Sequence, residues 1–577
     1  MNAFRAGALV GLALLLSGLG VAPAAATGEG QYLVHDLGTA VGVRNILPPG
    51  AAGVITASDY LHNQADPGWF PPHVTDQVAP YDGPTFTPAG AVTPAQVQQF
   101  SKEETFGVPD GQVDTVENPR PGLTIVRDKA FGVPHIFATT RALAEYGAGW
   151  VSAEDRLFMM DLLRHAGRGN LASILGSSGY DSDCGTHYGT GYDQNDARIQ
   201  RAQLDPQIVA DGQQFADGVN GWIASPTGFP MHTPVEYLAF PNNQPVGPNQ
   251  WTLEDIGAVG ALIGASLGGG GGNEVANTLA FERMVSIYGV DKARQLFDDL
   301  HASNDPESPT TIDQSFPYET RAQRDPASVA LLDPADNGPH DPGGCSQTRL
   351  PPAPPGAGRP ALPVMPPVAG QRTLDAPTQA RVQQAATEKA TRMVQVLQYK
   401  KHASNATVVN ADHSVDGHPI ANFGPQVAYW MPELFMEMDV HAPDWDARGV
   451  QIPGTGVFVE IGRGQGFAWS ATSAGSDNID ERADLLCNPA PAAGQTPLDN
   501  VDPASTSFWY KGSCKKMFEN TIQYPVPPSA GTMGGDIWTG FETFRVERTE
   551  HDDGTGIVQG RTRALRNGRY VPVAISV

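Results

Sequence analysis

Ser404 lies in the segment 400–409, KKHASNATVV, where a charged stretch changes to a short apolar strand. A serine hydroxyl is a weak nucleophile unless a base accepts its proton. If the bond between Ala403 and Ser404 were cut, the new α-amine, with an ordinary pKa of about 8, could be that base. One residue would then supply both nucleophile and base. The structural alternative, a Ser-Asn turn or strand edge, describes most such dipeptides.

The elements that must position this serine differ on its two sides. After Ser404, short apolar segments separated by Gly, Asp and Pro predict strands at 408–409, 419–421, 434–440, 457–461 and 467–472. Before it, two strands precede helical spacing, and the pattern predicts strands at 122–128 and 135–138 and helices over 140–176, 206–223, 253–265, 274–300 and 378–399. A helical half is therefore followed by a β-rich half.

Two other segments show no sustained periodicity. Residues 27–118 are rich in Gly, Pro and short polar turns, and we interpret them as an N-terminal extension with few secondary elements. Residues 333–371 are rich in Pro, Gly and Ala, a composition typical of an exposed linker that cannot build a core.

The N-terminus predicts export. Residues 1–26 combine Arg5, an apolar run and an Ala24–Ala26 exit, as in a secretory signal peptide, so the mature chain is expected to be secreted or periplasmic. No later run of about 18 apolar residues predicts a membrane span. The net charge of −25 argues against a nucleic-acid partner, because phosphate binding needs a basic surface.

Four cysteines, an even number in an exported chain, permit two disulfides in three possible pairings. Pairing of Cys487 with Cys514 is favoured because both flank one polar, Pro-containing excursion. The sequence contains no CxxC motif or Cys/His cluster that would indicate zinc, and we interpret His135, His402 and His418 as structural.

Several motifs occur in the order typical of one enzyme family. They are VRD at 126–128, VPHI at 133–136, GAGWVSAEDRLF at 147–158, GNLA at 169–172, FADGVN at 215–220, PVEYL at 234–238 and WTLED at 251–255. From about residue 122 to its end, the chain resembles the penicillin acylase family of N-terminal nucleophile hydrolases. Ser404 stands where that family begins its β subunit.

The resemblance implies an α+β protein with the αββα four-layer fold, in which a precursor cuts itself into an α/β heterodimer and loses a spacer. It implies hydrolysis of a small-molecule N-acyl amide, such as a penicillin, through an acyl-enzyme at Ser404. The expected organisation is a signal peptide (1–26), an extension (27–118), an α-subunit region (119–330), a spacer (331–403) and an incomplete β-subunit region (404–577).

The resemblance also assigns roles to residues that would otherwise be structural. Gln426, in NFGPQ at 422–426, matches the residue that helps to hold the serine amine and the substrate. Ser473, in WSATSAG at 469–475, matches the residue whose backbone N–H contributes to the oxyanion hole.

The same comparison of motifs implies structural calcium. Asp477, Ile479 and Asp480 match a segment that binds the ion through two carboxylates and a backbone carbonyl, and Glu274 matches a ligand from the α chain. Oxygen donors of this kind suit Ca²⁺.

Three departures leave other functions open. The stretch after Ser404 is much shorter than the family's β chain, so the catalytic asparagine and further calcium ligands are expected beyond it. Val427 stands where penicillin G acylases use an aromatic residue, and Thr407 is smaller than its usual counterpart. The alternatives are a catalytically incomplete or non-enzymatic secreted relative, an N-acyl homoserine lactone acylase and, most weakly, a Ser-His-Asp hydrolase without the Gly-x-Ser-x-Gly elbow.

Overall fold

A computed structural model describes residues 30–37, 42–48, 54–76, 80, 91, 93–190, 201–229, 231–238, 245–300, 330–336, 377, 381, 384, 403–426, 433–456, 459–473, 476–526, 540–552 and 554–577. The predicted signal peptide, most of the predicted spacer and nearly all of the predicted helix at 378–399 lie outside these residues. No helix in the described part of the chain combines the length and apolarity that a bilayer crossing needs.

The helices are α1 (Ala57–Ala65), α2 (Pro94–Gln99), α3 (Arg141–Gly167), α4 (Ala172–Leu175), α5 (Tyr180–Cys184), α6 (Pro206–Ile223), α7 (Leu253–Leu267), α8 (Glu274–Tyr288) and α9 (Val290–Leu300). Helix α6 begins where its sequence predicts, because the Asp205 side chain accepts a hydrogen bond from the N–H of Gln207 and Pro206 occupies the first turn. The single helix predicted over 274–300 is wrong. Gly289, at a φ of 78°, separates α8 from α9.

The strands before Ser404 are β1 (Tyr32–Leu33), β2 (Arg44–Asn45), β3 (Lys102–Glu103), β4 (Gly107–Val108), β5 (Val113–Arg120), β6 (Leu123–Asp128), β7 (Pro134–Ala138) and β8 (Gly269–Gly271). The later strands are β9 (Ala403–Val409), β10 (Ile420–Gln426), β11 (Met436–Ala442), β12 (Trp445–Gln451), β13 (Ile461–Arg463), β14 (Ala468–Trp469), β15 (Ser476–Ile479), β16 (Arg482–Leu485), β17 (Ser507–Tyr510), β18 (Ser513–Lys516), β19 (Phe518–Val526), β20 (Gly540–His551), β21 (Gly554–Arg566) and β22 (Arg569–Ser576).

A seven-stranded sheet joins the two halves of the chain. Its order is β14-β13-β12-β11-β7-β6-β5. Strands β11 and β7 are parallel, with Asp439 opposite His135, and the other neighbours are antiparallel. The β7–β11 seam therefore pairs a strand that precedes Ser404 with one that follows it.

Helices α3, α6 and α7 share the largest apolar core with this sheet. The core contains Ile136 from β7, Phe158 from α3, Phe215 from α6 and Met438 from β11, all buried. The α+β class expected from the sequence is confirmed, and the packed helices and sheets are consistent with the αββα fold of penicillin acylases.

Helices α3 and α6 touch backbone to backbone. A Cβ added at Gly149 would lie 2.0 Å from the carbonyl oxygen of Phe215, and one at Gly218 would lie 2.0 Å from that of Tyr146. No side chain larger than hydrogen fits at either position.

Glu145 is a buried acid beside this crossing. Its Oε2 atom has no hydrogen-bond partner among the described residues, while the neighbouring Arg141 pairs with Asp211 at 2.6 Å. Burial, together with the negative charge of Asp211, raises the pKa of Glu145 to about 8.

We expect Glu145→Gln to stabilise the protein at alkaline pH. The native carboxyl holds its proton up to about pH 8, whereas the unfolded one ionises near pH 4.5, so the wild type loses stability between these values. The gain should be small at pH 4 and about 4 kcal/mol at pH 8, in urea unfolding at the two pH values. Glu550→Gln, on an exposed part of β20, is the matched control. A gain in stability that does not depend on pH would contradict a raised pKa for Glu145.

A second large sheet is formed by the C-terminal strands. A five-stranded antiparallel sheet has the order β16-β22-β21-β20-β19, and residues 330–336 lie along β21, where the N–H of Asp333 donates to the carbonyl of Arg563. The predicted Cys487–Cys514 disulfide is confirmed between the end of β16 and β18. Cys184 is disulfide-bonded as well.

The N-terminal extension is more ordered than its composition predicts. It contains two helices and several short strands, and its buried charges pair with the seven-stranded sheet. Arg463 binds Asp36 through two hydrogen bonds of 2.6 and 2.9 Å, and Lys102 forms an ion pair with Glu437. These segments therefore form part of the buried structure around the sheet.

Candidate functional site

Ser404 is the second residue of β9, which forms an antiparallel two-stranded sheet with β10. Its half-buried side chain lies on the strand opposite Pro425, and Gln426 is opposite Ala403. The structure thus places the bond proposed for cleavage opposite the backbone of Gln426.

A glycine makes room for a side chain between these two strands. Asn405 faces Gly424, and a Cβ at Gly424 would lie 2.7 Å from the Asn405 side-chain oxygen. The side chain of Asn405 therefore occupies the space above Gly424, on the face of the hairpin opposite to Ser404.

Ser473 is not joined to Ser404 by any hydrogen bond among the described residues. It is half-buried and follows β14 at the edge of the seven-stranded sheet. Phe423 of β10 and Trp469 of β14 are both partly buried and pack against the main core.

The proposed calcium segments do meet. Strand β15 is parallel to β8, and the carbonyl oxygen of Ile479 accepts a 2.6 Å hydrogen bond from the N–H of Gly272. Glu274 begins α8 immediately beyond this point, and one of its oxygens accepts a 3.1 Å hydrogen bond from the N–H of Glu481. Asp480 lies between these contacts, while the side chain of Asp477 is outside the described residues.

Glu481 is an acid in this cluster that the sequence motifs did not indicate. Its carboxylate accepts a 2.7 Å hydrogen bond from the N–H of Val275. Burial raises the pKa of Glu481, and the negative charge of Glu274 raises it further. No described Lys or Arg forms an ion pair with either acid, so no ion pair offsets the repulsion between the two carboxylates. In the sequence, the position of Glu481 directly after Asp480 could have indicated that it belongs to this cluster.

A second cluster was also missed, at the β7–β11 seam. His135 is buried there with Asp439 and His441, although the sequence analysis treated it as structural. Burial lowers the pKa of His441, but the Asp439 and Asp446 carboxylates outweigh it and raise that pKa to about 9. The alternation Asp-x-His along β11 placed two of these residues on one face, but nothing local pointed to His135.

Comparisons with known proteins agree with the motifs. Penicillin G acylase from Escherichia coli is 26% identical over 372 residues, which are 63% of this chain and 40% of that protein. Penicillin acylase 2 proenzyme from Pseudomonas sp. (strain SE83) is 32% identical over 123 residues, 20% of this chain and 15% of that one. The chain thus spans well under half of the length of these relatives.

The chain is also similar to a solved structure, that of the thermostable penicillin G acylase from Alcaligenes faecalis in a tetragonal crystal form. The two sequences are 25% identical, and the match covers 35% of this chain and 100% of the chain in that structure, with a TM-score of 0.28. The family profile described as penicillin amidase matches residues 123–560, which include Ser404 and most of both halves. The chain therefore belongs to the penicillin amidase family.

Proposed function

We propose that this chain is the precursor of an acyl-amide hydrolase whose nucleophile is Ser404, released by cleavage of the Ala403–Ser404 bond. Membership of the penicillin amidase family supports a hydrolase acting on amides. The observation that supports the assignment to this serine is the β9–β10 register, which sets Gln426 opposite Ala403, at the bond proposed for cleavage.

Cleavage needs no group from outside the chain except water. The Ser404 hydroxyl oxygen attacks the carbonyl carbon of Ala403, the C–N bond breaks, and the proton moves to the departing nitrogen. The product is an ester between Ala403 and the serine oxygen, with a free α-amine. Water then hydrolyses the ester, which leaves a carboxylate on Ala403 and restores the hydroxyl.

Substrate turnover repeats this chemistry with the new amine as the base. The Ser404 oxygen attacks the acyl carbon of the N-acyl substrate while the α-amine accepts the hydroxyl proton and passes it to the leaving amine. Water releases the acid from the acyl-enzyme. The backbone N–H of Ser473 is proposed to donate to the oxyanion, a contribution of about 3–4 kcal/mol for one preorganised donor.

The substrate class follows from this chemistry and from the relatives. Two of them are named penicillin acylases, so a penicillin side-chain amide is the first candidate. An N-acyl homoserine lactone offers the same amide linked to a different amine. Residue 427, where an aromatic side chain would favour phenylacetyl groups, is Val and lies outside the described residues.

Export and assembly complete the proposal. The predicted signal peptide would deliver the precursor to the periplasm or the medium. Cleavage would leave an α/β heterodimer held by the β7–β11 seam.

Mass spectrometry of the folded full-length protein tests the central step. We expect a β chain whose first residue is Ser404. A chain that folds, shown by a cooperative unfolding transition, and yet keeps the Ala403–Ser404 bond would overturn the proposal and favour a non-enzymatic relative.

We also propose that Glu274, Asp480, the Ile479 carbonyl and Asp477 hold a structural Ca²⁺. Support comes from the contact between α8 and the segment after β15, and from the repulsion between Glu274 and Glu481. The ion would bind hard oxygen donors and hold the α-subunit and β-subunit regions together.

Calcium is therefore expected to stabilise the wild type. At a concentration 100 times its Kd, an ion that binds only the folded state adds about 2.7 kcal/mol. Glu274→Gln should abolish most of the rise in melting temperature that millimolar CaCl2 produces, whereas Asp291→Asn, an exposed acid on α9, should keep it. Equal rises in melting temperature in both variants would show that Glu274 does not bind the ion.

A further inference from the structure

Three buried side chains converge at the β7–β11 seam. Nδ1 of His135 lies 2.7 Å from Oδ2 of Asp439, and Nε2 of His441 lies 2.8 Å from the same oxygen. The exposed fractions of the three residues are 1%, 0% and 6%. Two imidazole nitrogens and a carboxylate are a common donor set for a divalent transition metal.

The second oxygen of Asp439 points to a missing partner. Oδ1 is fully buried and has no hydrogen-bond partner among the described residues, whereas Oδ2 also accepts a 2.7 Å hydrogen bond from the N–H of Gly107. A buried carboxylate oxygen without a partner is costly. It is also available as a fourth donor atom.

The outer nitrogens of both imidazoles face carboxylates. Nδ1 of His441 lies 2.8 Å from Oδ1 of Asp446, and Nε2 of His135 lies 3.5 Å from Oδ2 of Asp128. Asp128 is itself held by the N–H groups of Ala130, Phe131 and Val133. Metal-binding histidines usually donate their second N–H to such a group, which fixes the ring and increases its basicity as a ligand.

The carboxylates of the cluster favour positive charge between the two rings. With neutral imidazoles, three carboxylates would share one largely buried region. Arg448 pairs with Glu437 at 2.9 Å, but Lys102 pairs with the same carboxylate, so Glu437 does not neutralise both cations. Two added protons or one divalent ion would each contribute two positive charges between the rings and Asp439.

We propose that His135, Asp439 and His441 form a structural site for a divalent transition metal, with Zn²⁺ as the ion that best suits two imidazoles and a carboxylate. The ion takes the place of the two ring protons that face Asp439, and the Gly107 N–H remains on Oδ2. Asp446 orients the His441 ring, and the Asp128 carboxylate lies near the His135 ring. This site is separate from the oxygen-rich cluster around Glu274.

The position of the site gives it a role in assembly. His135 precedes Ser404 in the chain, while Asp439 and His441 follow it. A bound ion therefore links the regions that would become separate chains.

Zinc titration of the full-length protein, monitored by calorimetry with millimolar Ca²⁺ present throughout, tests the site. We expect one tight Zn²⁺ per chain. Replacement by Co²⁺ should give the visible absorption of a low-symmetry, four-coordinate ion. His441→Gln should weaken zinc binding by at least 100-fold, and Asp446→Asn, which removes only an outer partner, by about 10–100-fold. His413→Gln, at an exposed histidine outside the cluster, is the matched control.

Wild-type protein that folds and binds no zinc at micromolar concentration would overturn the proposal and leave a proton-bridged network in its place. Equal affinities for zinc in the wild type and in His441→Gln would also overturn the proposal. If His441→Gln fails to fold, His135→Gln and Asp446→Asn provide the comparison, and the wild-type titration stands on its own.

Discussion

Replacement of Ser404 by alanine is expected to leave the protein as one uncut chain. Alanine has no oxygen to attack the Ala403 carbonyl, so neither the ester nor the free α-amine can form. Without that amine, the nucleophile and its base are lost together, and amide hydrolysis should fall by at least about 10⁴-fold relative to the wild type.

The measurement is the chain mass of wild type and variant after equal incubation, followed by release of acid from a panel of N-acyl amines. Ser470→Ala, at an exposed serine just after β14, is the control and should be cut at the wild-type rate. If Ser404→Ala is cut at the same bond, another group performs the cleavage and the proposed mechanism is wrong.

Substitution of Gly149 by alanine is expected to cause a large loss of stability for the addition of a single methyl group. Its Cβ would stand 2.0 Å from the carbonyl oxygen of Phe215, so α3 and α6 must move apart along their whole contact. Because the obstacle is backbone, no rotamer change can relieve it. We expect a cost of about 3 kcal/mol or more.

Gly260→Ala provides a matched control in α7. A Cβ at Gly260 would meet no atom within 4 Å, and alanine favours a helix interior over glycine by about 0.5–1 kcal/mol. Urea unfolding of both variants should therefore give changes of opposite sign. A neutral Gly149→Ala would show that the two helices are less closely packed than described.

Local patterns predicted the regular elements well because their causes lie within a few residues. The spacing around Pro206, the strand at 123–128 and the Cys487–Cys514 bridge each depend on neighbours or on one short excursion. The same rules failed at Gly289, where a glycine inside an otherwise helical pattern ended the helix, an outcome that periodicity alone does not distinguish from continuation.

The extension shows why contacts between residues far apart in the sequence were not predicted. Its two-residue strands carry almost no periodicity and exist because of partners far along the chain, such as Glu437 for Lys102. His135 and Asp439 are 304 residues apart and become neighbours only when β7 and β11 pair. Ser404 and Gln426, in contrast, were linked in advance by the family resemblance, and the β9–β10 register places them on neighbouring strands.

The buried charges of the extension also determine how late in synthesis the extension can fold. Lys102 and Glu437 are separated by 335 residues, and Asp36 and Arg463 by 427. During synthesis or export, the first segments emerge long before the strands that neutralise them. Because unpaired charges are costly to bury, these segments cannot settle until residues beyond 463 arrive. Closure of the seven-stranded sheet is thus a late, high-contact-order event, and it delays burial of the β7–β11 seam until the residues around Ser404 have been made.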